Sequence, residues 1–260
     1  MAYAPFDLTG RVALITGGNG GIGLGMADAL AQAGADVVIW GNNPAKNAAA
    51  EAQLAAHGRR VAAVAVDVTD EQAVEAGIAD VVARMGRLDF VAANAGTGKS
   101  APAFDQFPTE TWRRVLAVNL DGVFWTLRAA ARHMRTRAEA GDPGGSLIVT
   151  SSTSAIHGAP RNQAYAASKG AVLSMIRGIA VEYARFGVRA NAVLPGWVRS
   201  DMTGSLQENE KFNERVIARV PVRRWGEPAD FGGVAVYLVS DASRFHTGDS
   251  LVIDGGYTVF

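Results

Sequence analysis

The sequence predicts an α/β fold: one doubly wound parallel sheet between two helical layers, three layers in all, forming a single domain over residues 1–260. Three observations lead there. Short apolar runs alternate with longer stretches of helical spacing along the whole chain. Most of those runs are continuously apolar or β-branched, as strands covered on both faces must be. No repeat, linker or change of composition divides the chain, and 260 residues are ample for one buried core.

Strands are expected at residues 12–16, 36–40, 61–66, 88–94, 146–151, 189–194 and 251–253. After the first, residues 23–34 carry Leu24, Ala27, Leu30 and Ala31 on one helical face and stop at Gly34, a C-cap residue. Further helices are expected at 109–137, opening on Thr109 and Glu110, at 163–186, and at 228–240, where Pro228 suits a first turn. Strands alternating with helices give right-handed crossovers and a parallel sheet. The long stretch 196–227 lacks a strand signal and is expected to form a lid over the substrate.

Composition excludes several classes of function. With 48% hydrophobic and 19% charged residues, the chain is globular and not disordered. Its 25 basic and 25 acidic residues cancel, so no basic footprint for nucleic acid or anionic membrane is expected. The absence of cysteine rules out disulfides, thiolate zinc sites and cysteine nucleophiles, and no metal site is expected. No apolar run reaches the roughly 18 residues of a membrane span. Residues 1–10 lack the basic start and apolar stretch of a signal peptide, which leads to an expected cytoplasmic location.

Residues 12–16 run into Gly17-Gly18-Asn19-Gly20-Gly21-Ile22-Gly23 and then directly into a helix. Glycines let the backbone turn sharply and approach a ligand, and a helix N-terminus offers free N–H groups and a positive dipole end. The string is a phosphate cradle on two readings. Gly18, Gly20 and Gly23 fit G-x-G-x-x-G, while Gly17, Gly21 and Gly23 fit the longer T-G-x-x-x-G-x-G spacing. Such sites usually end the second strand with a carboxylate that accepts from the adenosine ribose and repels a 2′-phosphate. Here Trp40 is followed by Gly41 and Asn42, so a phosphate is not repelled, and Lys46 in the next helix can reach it. The cofactor expectation is NADP or NAD, with a slight lean to NADP. Asp67, with Val68 beside it, reads as an adenine contact; Asp67 reads equally well as a helix N-cap.

Tyr165-Ala166-Ala167-Ser168-Lys169 places a phenol and an ammonium four residues apart, on one helix face. A free tyrosine has a pKa of about 10, too high for acid–base work near neutrality, and a neighbouring ammonium is expected to lower it. Ser152 stands at the carboxyl end of the fifth strand, where ligands of open parallel sheets bind, and can hold a substrate carbonyl against the phenol. Ser151 and Ser154 compete for that role. Asn119, a poor helix former inside 109–137, reads either as a water-holding residue linked to Lys169 or as a core residue serving local backbone.

In order along the chain, these motifs resemble the short-chain dehydrogenase/reductase family. The likeness rests on Thr16 to Gly23, on Ala93-Asn94-Ala95-Gly96, on Asn119, on Ser152 with Tyr165 and Lys169, on Pro195-Gly196 followed by Val198 and Ser200, and on Asp254-Gly255-Gly256-Tyr257. It implies a Rossmann-like fold and hydride transfer between a nicotinamide and a secondary alcohol or ketone. It further implies a cofactor cleft lined by Gly17, Asn19, Gly20, Gly21, Ile22, Gly23, Gly41, Asn42, Asp67, Val68, Asn94, Ala95 and Gly96. Pro195, Gly196, Val198 and Ser200 would hold the carboxamide, and Tyr165 and Lys169 would also touch the cofactor. Asn119 would support a water path for the proton, and the protein would be a homotetramer. Three departures stand out: Ala93 for the family's first Asn, Ser200 for its usual Thr, and Gly41-Asn42 for a charged specificity residue. Trp197, Met202, Leu206 and Phe212 suggest a hydrophobic or cyclic substrate, with 3-oxoacyl and sugar-type substrates open; His157 is expected at the pocket rim. The competing class is a non-catalytic nucleotide-binding regulator on the same fold.

Overall fold

A computed structural model describes residues 3–260; Met1 and Ala2, the start of the stretch read above for a signal peptide, lie outside the described residues. The strands are β1 (Val12–Thr16), β2 (Asp36–Trp40), β3 (Val61–Val64), β4 (Phe90–Ala93), β5 (Gly145–Thr150), β6 (Val188–Pro195) and β7 (Ser250–Ile253). They pair in parallel in the order β3-β2-β1-β4-β5-β6-β7. The helices are α1 (Gly21–Gln32), α2 (Pro44–Ala55), α3 (Glu71–Met85), α4 (Thr109–Leu116), α5 (Gly122–Glu139), α6 (Gln163–Tyr183), α7 (Gly204–Gln207), α8 (Glu210–Arg219) and α9 (Gly232–Val239).

Alternation along β1 explains the three layers. Val12 and Leu14 face one core with Val74 and Ile78 of α3, Leu127 of α5 and Ile176 of α6. Ala13 and Ile15 face the other, with Met26 and Leu30 of α1, Leu54 of α2 and Leu238 of α9. Both faces are apolar, so the strand reads as an unbroken hydrophobic run. Chain order reverses between β1 and β4, which opens a crevice at the carboxyl ends of those strands.

The helix expected over 109–137 is interrupted. Between α4 and α5, Ala117–Asp121 forms a π turn in which the Gly122 N–H donates to the Ala117 carbonyl, five residues back. The extra residue turns Asn119 fully into the interior. The expected 163–186 helix closes in a 3₁₀ turn at Ala184–Phe186, and 228–240 opens in one at Pro228–Phe231. Segment 196–227 contains α7 and α8 and is closed at its base. There Val198 bridges Gly226, with Arg199 N–H to Gly226 O and Gly226 N–H to Trp197 O, both 2.9 Å. No helix among the described residues is long and apolar enough to cross a membrane.

At the opposite edge of the sheet, Asp89 is only 3% exposed and gathers the strand ends. Its carboxylate accepts from the Val12 N–H (3.0 Å), from Arg87 (2.8 and 2.7 Å) and from Arg137 (2.8 Å). Burial would raise its pKa, but the guanidinium groups and the Val12 N–H hold it below the usual carboxylate range. Removing the carboxylate leaves buried donors and arginines uncompensated, so Asp89→Ala is expected to cost about 3–5 kcal/mol in urea unfolding at pH 7. Because the folded pKa is lowered, the stabilisation is complete above about pH 4 and fades as pH falls through the folded value. The gap between wild type and variant should therefore narrow in acid.

Candidate active site

The crevice is floored by the glycine turn. A Cβ on Gly23 would sit 2.3 Å from the Gly17 carbonyl oxygen, so only glycine lets α1 start so close to β1. No side chain caps the first N–H groups of α1, which open toward the cleft. At the end of β2, a Cβ on Gly41 would lie 2.1 Å from Asn19 Nδ2 and 2.6 Å from Asn47 Oδ1. Asn19 donates to Asn47 Oδ1 (2.7 Å) and Asn47 to Gly41 O (2.9 Å). These two amides occupy the space beside Gly41, and any larger side chain there would have to displace them.

Asn94, just past β4, ties the strand ends together. Its Nδ2 donates to Thr16 O (3.0 Å) and Gly17 O (3.3 Å), and its Oδ1 accepts from the Thr150 hydroxyl (3.0 Å). The Thr16 hydroxyl accepts the N–H groups of Asn94 and Ala95 (3.0 and 2.9 Å). Ala93 is buried in the apolar core beside α5 and α6, so the departure there removes no contact from the Asn94 network.

On α6, Lys169 is buried and its ammonium donates to Thr150 O at 2.7 Å. Ser151 is also buried and lines the cleft, but its hydroxyl donates to Lys169 O (2.8 Å) and so braces the helix. Ser152 accepts the Ser154 N–H at 3.1 Å and lines the same cleft as Tyr165, where it pulls the phenol's pKa down against its burial. Ser154 Oγ has no partner. Geometry thus separates the three serines. Asn119 grips the main chain of Thr97 at both ends, accepting its N–H and donating to its carbonyl (2.8 Å each), and donates to Ser168 Oγ at 3.2 Å.

The electrostatics differ from the expectation that Lys169 acidifies Tyr165. Burial raises the phenol, and only the Ser152 hydrogen bond opposes it. Burial also pushes Lys169 down to about 8. Its Nζ stands 5.5 Å from the Tyr165 ring centroid and is engaged by Thr150. Burial thus favours the uncharged form of each group.

These groups meet in a cleft of about 290 Å³. Its walls include Gly17, Asn19, Gly20, Gly21, Ile22, Asn94, Ala95, Gly96, Ser152, Tyr165, Lys169, Pro195, Gly196, Val198 and Ser200. Gly23, Gly41, Asn42, Asp67, Val68 and Asn119 are not in that wall. Asp67 turns its carboxylate onto Thr69 (2.9 and 2.8 Å), while Asp70 caps α3, and Val68 is buried against Gly122. Asp67 is therefore not the cap of α3. Met202, expected to face the substrate, lines the cleft, and sequence reading missed Thr150, Asp201 and Thr203, which also line it. For Thr150, the end of a parallel strand was an available signal. The donor set suits a dinucleotide: uncapped α1 N–H groups for a pyrophosphate, and Lys169 and Tyr165 beside the deeper end. Among the described residues, no three His, Asp or Glu side chains are grouped to hold a metal.

A family profile described as enoyl-(acyl carrier protein) reductase matches residues 17–258. The chain is 36% identical over 254 residues to gluconate 5-dehydrogenase of Gluconobacter oxydans, covering 98% of this chain and 97% of that one. It is 35% identical to 5-keto-D-gluconate 5-reductase of Escherichia coli K12, covering 98% of each. It also superposes with a TM-score of 0.92 on a gluconate 5-dehydrogenase from Burkholderia cenocepacia in complex with NADP and tartrate, at 36% identity, with 99% and 100% of the two chains covered. Likeness of this extent takes in the cradle, the Asn94 tie and the catalytic helix together. The chain belongs to the short-chain dehydrogenase/reductase family, NAD(P)-dependent oxidoreductases acting on CH–OH and C=O groups.

Proposed function

We propose that this protein is an NADP(H)-linked oxidoreductase that interconverts a secondary hydroxyl and a ketone on a polyhydroxylated, sugar-acid type of substrate. The observation that carries the reaction is that Ser152, Tyr165 and Lys169 line one cleft together with the glycine turn. The substrate class is carried over from the relatives that act on gluconate and ketogluconate. Trp197, Leu206 and Phe212 pack against Trp225 and Val216 inside segment 196–227, and Met202 lines the cleft.

When bound, the dinucleotide supplies or accepts the hydride. For reduction, Tyr165 gives its proton to the oxygen as negative charge develops there, and Ser152 holds that oxygen against the phenol. Lys169, anchored on Thr150 O, places positive charge near the phenolate left behind. Asn119 fixes the Thr97 loop against α6, which positions the wall opposite Tyr165. Segment 196–227 is the lid. NADP is favoured because Gly41 and Asn42 present no carboxylate to a 2′-phosphate and Lys46 is nearby. The protein is further read as a cytoplasmic homotetramer; Trp112, Phe124 and Val181 leave exposed apolar surface on α4, α5 and α6, and light scattering of the purified protein tests the assembly.

Tyr165→Phe is expected to reduce turnover at least 10²-fold while NADPH affinity, read by fluorescence titration, stays within about twofold. A variant keeping most of its turnover would remove the phenol from the proton step. In a spectrophotometric screen with both cofactors, gluconate- and ketogluconate-type compounds should turn over faster than cyclic apolar ketones. Cofactor binding with no turnover on either set would favour the regulator. Lys169 is charged below about pH 8 and loses its proton above it, so kcat for ketone reduction should fall as pH rises through that value. A profile flat to pH 10 would contradict this.

A further inference from the structure

Lys46 and Asp201 lie 155 positions apart in sequence, yet the Lys46 ammonium donates to Oδ2 of Asp201, a residue of the cleft wall. Lys46 is fixed by the first turn of α2, where the Asn43 side chain accepts its backbone N–H at 3.1 Å. Asp201 follows Ser200 at the start of the lid and is the only carboxylate among the residues lining the cleft. It lies over the glycine turn, its Oδ2 being the nearest atom, at 3.9 Å, to the position of a Cβ on Gly20. Among the described residues, neither Lys46 nor Asp201 has a second ion-pair partner. Their side chains are 47% and 81% exposed, so the pair is held loosely and can exchange with another anion.

Gly41 and Asn42 carry no charge, with the Asn19 and Asn47 amides packed beside Gly41, which leaves Lys46 to recognise a phosphate on the adenosine ribose. That lysine already holds an anion. We propose that Asp201 is an internal stand-in for the cofactor's 2′-phosphate and thereby a determinant of cofactor choice. Its carboxylate keeps Lys46 occupied and seats the start of the lid on the glycine turn. A 2′-phosphate takes the lysine and frees both Asp201 and the lid; an unphosphorylated ribose offers no replacement anion. This rests on the NADP reading above and adds the competing carboxylate and its link to the lid.

The test is a double-mutant cycle on the full-length protein, reading dissociation constants for NADPH and NADH by fluorescence titration in wild type, Asp201→Asn, Lys46→Gln and the double variant. Repulsion between Asp201 and the pyrophosphate acts on both cofactors alike, whereas competition for Lys46 acts on NADPH alone. Asp201→Asn should therefore raise the preference for NADPH by about two- to fivefold, the size expected of an exposed ion pair. In the Lys46→Gln background the same change should move both cofactors by one factor. If Asp201→Asn moves both equally while Lys46→Gln still lowers the preference, the stand-in is wrong and the NADP reading survives. If Lys46→Gln leaves the preference unchanged, the lysine is not at the 2′-phosphate and both readings fall.

Discussion

The site depends on a hydrogen-bonded chain that crosses the sheet at its switch point. Asn94 holds the carbonyls of Thr16 and Gly17 on one side and the Thr150 hydroxyl on the other, and the Thr150 carbonyl receives Lys169. That chain joins the phosphate-binding turn after β1 to the catalytic helix α6 through β4 and β5. A crevice forms between β1 and β4 because the crossovers leave in opposite directions there. Nothing in strand pairing alone fixes the distance between cradle and lysine; the Asn94 amide does. In a low-dielectric interior each of these bonds strengthens the next, and the loss of one leaves a buried partner unpaired.

The two ends of the strands differ in what they hold. At the amino ends, Asp89 accepts from the Val12 N–H, Arg87 and Arg137, and apolar faces close over both sides of the sheet. At the carboxyl ends, the sheet opens onto the cleft lined by Ser152, Tyr165 and Lys169.

How much was legible in the sequence follows from the range of each interaction. β1 and β2 have the bounds expected, because a strand buried on both faces announces itself as a continuous apolar run. Tyr165 and Lys169 share a helix face by spacing alone, and Ser152 stands at a strand end; the cleft brings all three together. The π turn at Ala117–Asp121 was not legible, since apolar periodicity passes through it unbroken and only the poor helix propensity of Asn119 marks the place. The apolar residues of segment 196–227 were misleading, because composition does not say whether a tryptophan faces a substrate or another tryptophan. Trp197 packs edge-on to Trp225 at 5.8 Å between ring centroids. Asp201 went unnoticed because its partner is distant in sequence and no motif links them.

The sign of the Tyr165 shift was misjudged for a related reason. Spacing reports that two groups are neighbours, but a pKa depends on how much water each has lost. Burial acts on both members of the pair, and because one is an acid that becomes negative and the other a base that is positive, it raises the first and lowers the second. Both shifts favour the uncharged forms. A cleft of this kind resists creating a phenolate or an ammonium until an opposite charge is brought close to it. The acidity of Tyr165 is therefore not a fixed property of the Tyr–Lys spacing. In the proposed reaction, an oxygen gathering negative charge between Ser152 and the phenol would make proton release favourable, and Lys169, oriented by Thr150, would steady the anion that remains.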